Sequence, residues 1–399
     1  MAHATKVLRC DSSSISFSAS DEPRISCTDT QQAIRRAAQL LNDLETVAFP
    51  TETVYGLGAV ALDSTAAARI FAAKGRPPDN PLIVHVSSVS MLHKLLPEGY
   101  TIPLVYDILM RRFWPGALTL LFHTNPSIVP SIVTANQPTV AIRMPSHPVA
   151  RALIAVANAP IAAPSANSSG RPSPTRAEHV LRDLDGKVGL ILDGGPCGVG
   201  LESTVVDGLH EDGNIRVLRP GGVTVEDIED AMREEMGGRG TVPQVLVHRR
   251  DFRDEAIEQA PTTPGMKYRH YSPAVPVVLL KTSAPPSHEH AIDVASLLKS
   301  LQTRTPSPQN PLRVGLLVPS DSPVISRMTA FDGIQWDLFA LGSLSDPSTS
   351  AQRLFDGLLT LDAAGVDVIL IEELREEREG LAIMNRVNKA AGETVWLTL

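Results

Sequence analysis

The stretch FAAKGRPPDNPLIVHV, residues 71–86, decides how the first half of the chain folds. An alanine-rich helical pattern ends there at Lys74, because Gly75 and the prolines that follow cannot continue a helix. The apolar run after the prolines predicts a strand that includes His85. Lys74 and Arg76 lie on chain that the prolines stiffen, so both cations can point into one cleft and bind an anion.

Each feature of this stretch also has a simpler structural explanation. Two cations at the end of a helix are favoured by the helix dipole, and a single histidine in a strand is commonly a satisfied core residue. The stretch therefore indicates a function only if similar signals follow elsewhere in the chain.

The pattern around this stretch predicts two α/β domains. Short β-branched runs alternate with helical patterns over residues 28–234, and apolar strands alternate with helices over 276–399, which predicts a small parallel sheet there. Between them, residues 235–275 have the composition of a connector, and the Ser-rich residues 1–27 predict a disordered N-terminal segment.

Composition limits the class of protein. The 399 residues carry a formal net charge of −8, so the molecule has no overall basic field that would draw it to nucleic acid. Three widely spaced cysteines argue against a disulfide framework or a zinc site and favour a reducing, cytoplasmic compartment. No apolar run approaches the roughly 18 residues of a membrane span, so we expect no membrane association.

Further loops rich in hydroxyl groups, glycine and cations follow predicted strands. Arg143 lies inside the apolar strand of VAIRMPSHP, where an arginine is costly unless a buried acid or a bound carboxylate pairs with it. The loop APSANSSGRPSPT can present several donors to an anion, although a plain surface loop has the same composition. The pair ESTVVD and LRPGG adds Ser203 and Arg219.

The order and the residues of these segments resemble those of the YrdC-type L-threonylcarbamoyladenylate synthases, in the long form that has a second domain. The strings that carry the resemblance are FPTETVYGLG, AAKGRPPDNPLIVHV, FWPGALTLLF, VAIRMPSHP, APSANSSGRPSPT, ESTVVD, LRPGG and, in the connector, TPGMKYRHYSP. The resemblance implies an open twisted mixed sheet flanked by helices for 28–234, a connector that acts as a lid, and a Rossmann-like domain after it.

The resemblance also implies a reaction. L-Threonine and bicarbonate or CO2 form a carbamate, which attacks the α-phosphate of ATP with Mg²⁺ present, giving threonylcarbamoyl-AMP and pyrophosphate. A partner transferase then modifies the adenosine next to the anticodon of certain tRNAs. The chain would be a nucleotidyltransferase that acts by positioning and by stabilising phosphate charge.

Site residues follow from the family motifs position by position. For L-threonine the resemblance implies Thr53, His85, Arg143, Ser203 and the backbone at Ala163. For ATP it implies Arg76, Asn80, Thr139, Ser165, Ser173, Arg219 and the connector residue Tyr271, with Lys74 and Arg76 as the catalytic cations at the phosphates. It implies no dedicated metal ligand from the protein.

Two other functions are weighed against this one. The first is a double-stranded RNA-binding module without catalysis, since the concave surface of the family has been associated with such RNA. Such a module needs a groove lined by basic and aromatic residues, and an aromatic content of 4 % does not favour one. The second is a carbamoyltransferase of hydrogenase maturation, which would need CxxC pairs that this chain lacks. The domain 276–399 shows no catalytic pattern, and we expect it to support or regulate the connector.

Overall fold

A computed structural model describes residues 4–238, 241–263, 270–304 and 311–399. The chain divides into a first unit, residues 1–169 and 173–268, and a second unit, residues 170–172 and 269–399. Within the described ranges, every helix falls short of the length and apolar character that a membrane crossing requires.

The described residues of the first unit form an open mixed sheet of eleven strands, which confirms the implied fold. In chain order the strands of this unit are β1 (Lys6–Arg9), β2 (Ile15–Phe17), β3 (Pro23–Ile25), β4 (Val47–Phe49), β5 (Gly56–Val60), β6 (Ile83–His85), β7 (Leu118–His123), β8 (Thr139–Arg143), β9 (Ile161–Ala162), β10 (Leu190–Asp193), β11 (Thr204–Asp207), β12 (Ile215–Arg219) and β13 (Val245–Val247). Their order in the sheet is β1-β10-β4-β5-β9-β6-β8-β7-β11-β12-β13, and β2 and β3 form a separate hairpin.

Helices flank this sheet. They are α1 (Thr28–Asn42), α2 (Ser64–Lys74), α3 (Val89–His93), α4 (Leu104–Phe113), α5 (Ser131–Thr134), α6 (Pro148–Ala157), α7 (Ala177–Leu184), α8 (Val225–Met236) and α9 (Glu255–Gln259), with a 3-10 turn at Ser12–Ser14. The Asp63 carboxylate caps the start of α2 by accepting the N–H groups of Thr65 and Ala66. The helix ends at Gly75, whose φ of 59° lies in the left-handed region that favours glycine.

The strand that follows the prolines lies in the middle of the sheet. β6 runs parallel to β8, and its other neighbour is the antiparallel strand β9. In this register His85 is paired with Arg143, so the last residues of two parallel strands lie side by side. The loop after β9 starts at the other end of β6, because β9 is antiparallel to β6 and the Ala163 N–H donates to the carbonyl of Ile83, the first residue of β6, at 2.9 Å.

The predicted disorder of residues 1–27 is wrong for the residues from 4 onward. β1 pairs in parallel with β10 over four residues and extends the sheet. The β2–β3 hairpin is fixed to α6, where the Arg151 guanidinium lies 4.1 Å from the ring centre of Phe17 and pairs with Asp21 at 2.7 Å. These contacts are made to distant parts of the chain, so the Ser-rich composition gave no sign of them.

The predicted connector, residues 235–275, contains more regular structure than its composition indicated. β13 pairs in parallel with β12 and forms one end of the first sheet, and α9 follows it. Residues 239–240 and 264–269 of this segment lie outside the described residues, and its role as a lid stays a prediction.

The second unit has a sheet of its own, and its described strands are all parallel, as the alternating pattern predicted. Its elements are β14 (Val277–Lys281), β15 (Ile292–Asp293), α10 (Val294–Arg304), β16 (Leu312–Val318), α11 (Pro323–Thr329), β17 (Ile334–Ala340), α12 (Pro347–Ala364), β18 (Val368–Glu372), α13 (Glu379–Ala390) and β19 (Glu393–Thr398). The strand order is β15-β19-β14-β18-β16-β17. Such buried parallel strands require continuous apolar sequence, which explains why the pattern was informative.

Candidate active site

Arg143, the last residue of β8, is only 4 % exposed and has its guanidinium held on several sides. Its Nε donates to the Gly116 carbonyl at 3.0 Å, Nη1 donates to the Thr53 hydroxyl at 2.8 Å, and Nη2 pairs with the Glu52 carboxylate. The sequence predicted a buried acid or a bound carboxylate for this arginine, and Glu52 is that acid. We call Glu52, Thr53, His85 and Arg143 the Arg143 cluster.

Glu52 was missed as a site residue because its partner lies 91 positions later in the chain. Its second carboxylate oxygen accepts the backbone N–H groups of Ser146 at 3.0 Å and His147 at 3.3 Å. Burial disfavours the charged carboxylate, but the Arg143 charge and these hydrogen bonds outweigh burial and hold the pKa of Glu52 below its ordinary value. Glu52 is therefore an ionised partner that holds the Arg143 guanidinium in place.

His85 is a neutral imidazole beside this ion pair. Burial, and then the positive charge of Arg143, lower the pKa of His85 to about 3. Its Nδ1 lies 3.2 Å from the Ile83 carbonyl, which fixes the ring against its own strand. At neutral pH the ring can thus offer one nitrogen to a ligand without adding charge to the cluster.

The threonines of FPTETVYGLG form a tight turn and do not start a helix. The Thr51 hydroxyl accepts the N–H groups of Thr53 and Val54, both at 3.2 Å, and lies 2.8 Å from the Thr53 hydroxyl. This turn presents the Thr53 hydroxyl to Arg143.

Lys74, Arg76 and Asn80, together with Ser165 and Asn167, make a second group, the Lys74 cluster. Lys74 is 4 % exposed, and its ammonium donates to the carbonyls of Ser165 and Asn167. Burial, and then the nearby Arg76 charge, lower the pKa of Lys74 well below its ordinary value. A bound anion would favour the protonated form, so this cluster is suited to bind one.

Asn80 is the residue of this cluster that points most directly to a ligand. Arg76 holds the turn by donating to the carbonyls of Asn80 at 3.0 Å and Pro81 at 2.7 Å. The Asn80 side chain is 1 % exposed, yet neither its oxygen nor its nitrogen has a hydrogen-bond partner among the described residues. An unpartnered buried amide costs free energy, and a ligand that pairs with it removes that cost.

Thr139 lies at the same end of the β6–β8 pair as Asn80. It begins β8, about 13 Å along the strand from Arg143, and faces the same side because four residues separate the two. Its hydroxyl is buried and also lacks a partner in the described part of the chain. The Arg143 cluster is thus at one end of this strand pair, and the partnerless polar groups are at the other.

Ser203 and Arg219 form a third group on the neighbouring strands. The Ser203 hydroxyl lies 2.7 Å from that of Thr119, which is paired with Arg143 in the sheet. Arg219 donates to the Ser203 carbonyl at 2.9 Å.

Ser173, from the loop after β9, donates to the Glu202 carboxylate at 2.6 Å. Sequence reasoning missed Thr119 and Glu202.

The LRPGG motif has a steric role. A Cβ on Gly221 would lie 2.3 Å from the Glu202 carbonyl oxygen, so only glycine allows this loop to approach the ESTVVD segment. The glycine thereby places Arg219 next to Ser203.

Tyr271 belongs to the second unit. Its ring centre lies 5.2 Å from that of Phe355, and the Arg386 guanidinium carbon lies 5.9 Å from it. Its predicted contact with a nucleotide stays a prediction.

The chemistry that the site offers is positioning and charge stabilisation. The candidate thiol near it, Cys197, is 1 % exposed, and burial and the Glu52 charge raise its pKa, so it is not an activated nucleophile. The described residues contain no group of three or more His, Cys, Asp or Glu side chains that could hold a metal ion. Buried cations, hydroxyls and a neutral imidazole remain, which suit an anionic ligand.

Comparisons with known proteins agree with this description. A family profile described as "Telomere recombination", of the Sua5, YciO and YrdC proteins, matches residues 39–221, and one described as "Threonylcarbamoyl-AMP synthase, C-terminal domain" matches 223–392. The threonylcarbamoyl-AMP synthase of Schizosaccharomyces pombe is 43 % identical over 394 residues, covering 91 % of this chain and 89 % of that protein. That of Bacillus subtilis is 43 % identical over 371 residues, covering 93 % and 96 %.

A solved structure matches over nearly the whole chain. The crystal structure of P. abyssi Sua5 complexed with L-threonine has a TM-score of 0.75 and 37 % identity, and the match covers 99 % of this chain and 100 % of that one. Fold and sequence together define a two-domain protein of the Sua5 type. The chain belongs to the Sua5/YrdC family of threonylcarbamoyl-AMP synthases.

Proposed function

We propose that this chain is a nucleotidyltransferase that makes threonylcarbamoyl-AMP and pyrophosphate from L-threonine, bicarbonate or CO2, and ATP. The observation that carries the proposal is the Arg143 cluster, a buried guanidinium fixed at the carboxyl end of β8 beside a neutral imidazole. The related P. abyssi protein, by its description, was crystallised with L-threonine. The relatives are named as synthases, so the alternative of an RNA-binding module without catalysis is not favoured.

In this proposal the Arg143 cluster binds the amino acid. Arg143 receives the threonine carboxylate, because a guanidinium has five N–H donors and only some of them are used by Gly116, Thr53 and Glu52. Thr53, the neutral His85 and Ser203 supply uncharged polar contacts, and the backbone at Ala163 closes the pocket.

The nucleotide is assigned to the Lys74 cluster and its neighbours. Asn80 and Thr139 have buried polar atoms without partners in the described residues, which supports a ligand at that end of the strand pair. Lys74 and Arg76 would bind phosphate oxygens, and Ser165, Ser173 and Arg219 would complete the site. Tyr271 is proposed as a further contact from the connector.

The chemical step then needs no covalent intermediate on the protein. The threonine amine adds to CO2 and loses a proton, which gives a carbamate. A carbamate oxygen attacks the α-phosphorus, and the bond from that phosphorus to the bridging oxygen of pyrophosphate breaks. Lys74 and Arg76 would stabilise the charge that leaves with pyrophosphate.

Mg²⁺ is proposed to enter with ATP. It commonly binds through substrate phosphates, water and one or two carboxylates, so it fits a site whose described residues offer no larger ligand group. Glu202, 8 % exposed and hydrogen-bonded to Ser173, is the buried carboxylate of this region that could assist.

The product would supply a partner transferase that modifies tRNA next to the anticodon. Cytoplasmic location, direct contact with tRNA or other double-stranded RNA, and support of the connector by the second unit are parts of the same proposal.

Pyrophosphate release from ATP, with L-threonine and bicarbonate each present or omitted, tests the function. We expect release only when both are present, and an Arg143→Ala variant should lose it. Arg151→Ala is the matched control, because Arg151 is also a buried arginine of the first unit but pairs with Asp21. Release that does not need threonine would contradict the proposal, and so would equal loss in the two variants.

A further inference from the structure

Asp183, on α7, holds the loop after β9 by two hydrogen bonds to one residue. Its carboxylate accepts the Ser168 N–H at 2.6 Å and the Ser168 hydroxyl at 2.8 Å. The Lys187 ammonium donates to the same hydroxyl at 3.2 Å. Ser168 is therefore held by α7, through Asp183, and by Lys187, which follows that helix. Asp183 itself is partly exposed and belongs to none of the groups described above.

The loop that Asp183 holds surrounds Lys74. The carbonyls of Ser165 and Asn167 receive the Lys74 ammonium, and the Ser169 N–H returns to the Lys74 carbonyl at 2.8 Å. Ser168 lies between these contacts. Hence the position of both carbonyls around the ammonium depends on where Ser168 is fixed.

We propose that Asp183 is a positioning residue for the nucleotide side of the site, acting through Ser168 on the loop that orients Lys74 and Ser165. The inference rests on the proposed function, because it assumes that Lys74 and Ser165 face ATP. Asp183 does not touch the ligand. It limits the conformations of a serine-rich loop before the ligand arrives, and so lowers the entropy cost of binding.

The effect should fall mainly on the nucleotide, because Ala163, the residue of this loop that is assigned to threonine, is held separately by the hydrogen bond from its N–H to the Ile83 carbonyl. Arg143 receives its contacts from Gly116, Thr53 and Glu52, which belong to segments that Asp183 does not contact by these hydrogen bonds. Loss of the Asp183 carboxylate should therefore weaken ATP binding while L-threonine binding stays the same. A residue that merely supported the fold would change both affinities.

Asp185 offers a matched control two residues further on. It is an exposed acid that ends the same helix and accepts the Thr5 N–H at 3.2 Å. The experiment measures dissociation constants of Mg-ATP and of L-threonine by calorimetry on full-length Asp183→Ala, Asp183→Asn and Asp185→Ala proteins, with thermal melting of each.

We expect Asp183→Ala to raise the dissociation constant of ATP about 10-fold or more, with that of L-threonine within about twofold of the parent. Asp183→Asn should recover only part of the affinity: its amide can still accept the Ser168 N–H and donate to the Ser168 hydroxyl, but it lacks the negative charge of Asp183 that favours the protonated Lys74. Asp185→Ala should leave both constants unchanged. In the Asp183→Ala background, Ser168→Ala should add little further loss, because both changes remove the same contact.

A Lys74→Met variant separates failure of this inference from failure of the proposed function. If Lys74→Met weakens ATP binding and Asp183→Ala does not, the positioning role is wrong and the site assignment stands. If Lys74→Met leaves ATP binding intact, the site assignment itself fails. Equal losses of ATP and threonine affinity in Asp183→Ala, or in Asp183→Asn should the alanine variant not fold, would overturn the positioning role.

Discussion

The Arg143 cluster and the Lys74 cluster both bury positive charge, but they satisfy it in different ways. Arg143 is held by a carboxylate, a hydroxyl and a carbonyl, so a formal counter-charge is already in place. The Lys74 ammonium donates to carbonyl oxygens and has no ion pair among the described residues, although the Asp183 charge acts on it, and the Asn80 amide of this cluster has no partner in the described part of the chain. The charge of the first cluster is balanced before a ligand binds, whereas buried polar groups of the second gain their partners from a ligand.

This difference predicts which substitutions should change the stability of the protein and which should change its affinity for a ligand. Removing one partner of a buried ion pair leaves an uncompensated charge, which is among the more destabilising changes known. Removing an amide that has no partner should not destabilise the free protein at all. Changes in the Arg143 cluster should therefore affect folding as well as threonine binding, whereas removal of the Asn80 amide should affect mainly the binding of the nucleotide.

Glu52→Ala should have the largest effect. Because Arg143 is then buried without its acid, the free energy of unfolding should fall by about 3 kcal/mol or more. Urea titration of the parent and the variant measures it. The double variant with Arg143→Met should be more stable than Glu52→Ala alone. A loss below about 1 kcal/mol would show that the ion pair does not distinguish this cluster.

His85 should make stability depend on pH. Its pKa is about 3 in the folded protein against an ordinary value of 6.5, so between these values the unfolded state binds a proton that the folded state does not. Stability is therefore fully present above pH 6.5 and is lost as pH falls toward 3. Between pH 7 and pH 5 this histidine alone should remove about 2 kcal/mol.

Urea titrations at these two pH values on the parent and on His85→Gln test this. The glutamine variant should lose less stability on acidification, by about that amount. An identical loss in both proteins would mean that the imidazole is not held neutral.

Asn80→Ala should separate binding from folding. Because the amide has no partner among the described residues, the free energy of unfolding should change by less than about 0.5 kcal/mol, while ATP binds roughly 10-fold more weakly. Calorimetry with Mg-ATP and urea titration give the two quantities. A large loss of stability with unchanged ATP affinity would reverse the comparison between the clusters.

Glu45→Gln should have the smallest effect of these substitutions, and it removes an exposed ion pair for comparison with the buried one. Glu45 pairs with Arg69 at 2.7 Å, but both side chains are 46 % exposed. The change in the free energy of unfolding should stay below about 1 kcal/mol, because solvent screens an exposed pair. If it equalled the change in Glu52→Ala, burial would not be what strengthens the Arg143 ion pair.

Much of this arrangement was open to prediction from sequence. Arg143 inside an apolar strand indicated a buried acid, and the helix break at Gly75 followed from the prolines after it. The family motifs indicated the mixed sheet and the synthase. These signals are local or lie within single motifs.

What the sequence did not indicate depends on pairing over long distances. Glu52 meets Arg143 only because sheet register brings residues 91 positions apart together. The pairing of β1 with β10 and the contact of Asp183 with Ser168 are of the same kind. Local composition carries no information on register, and the polar N-terminal residues therefore looked disordered.

The pairing of β1 with β10 has a consequence for synthesis of the chain on the ribosome. Lys6 is made before its partner Leu190, which follows 184 positions later. At roughly 5–20 residues per second, β1 must wait on the order of 10–40 s before its partner strand exists. Throughout that interval the nascent chain carries β1 without its partner strand, so the first unit can pair this edge of its sheet only after Leu190–Asp193 has been made.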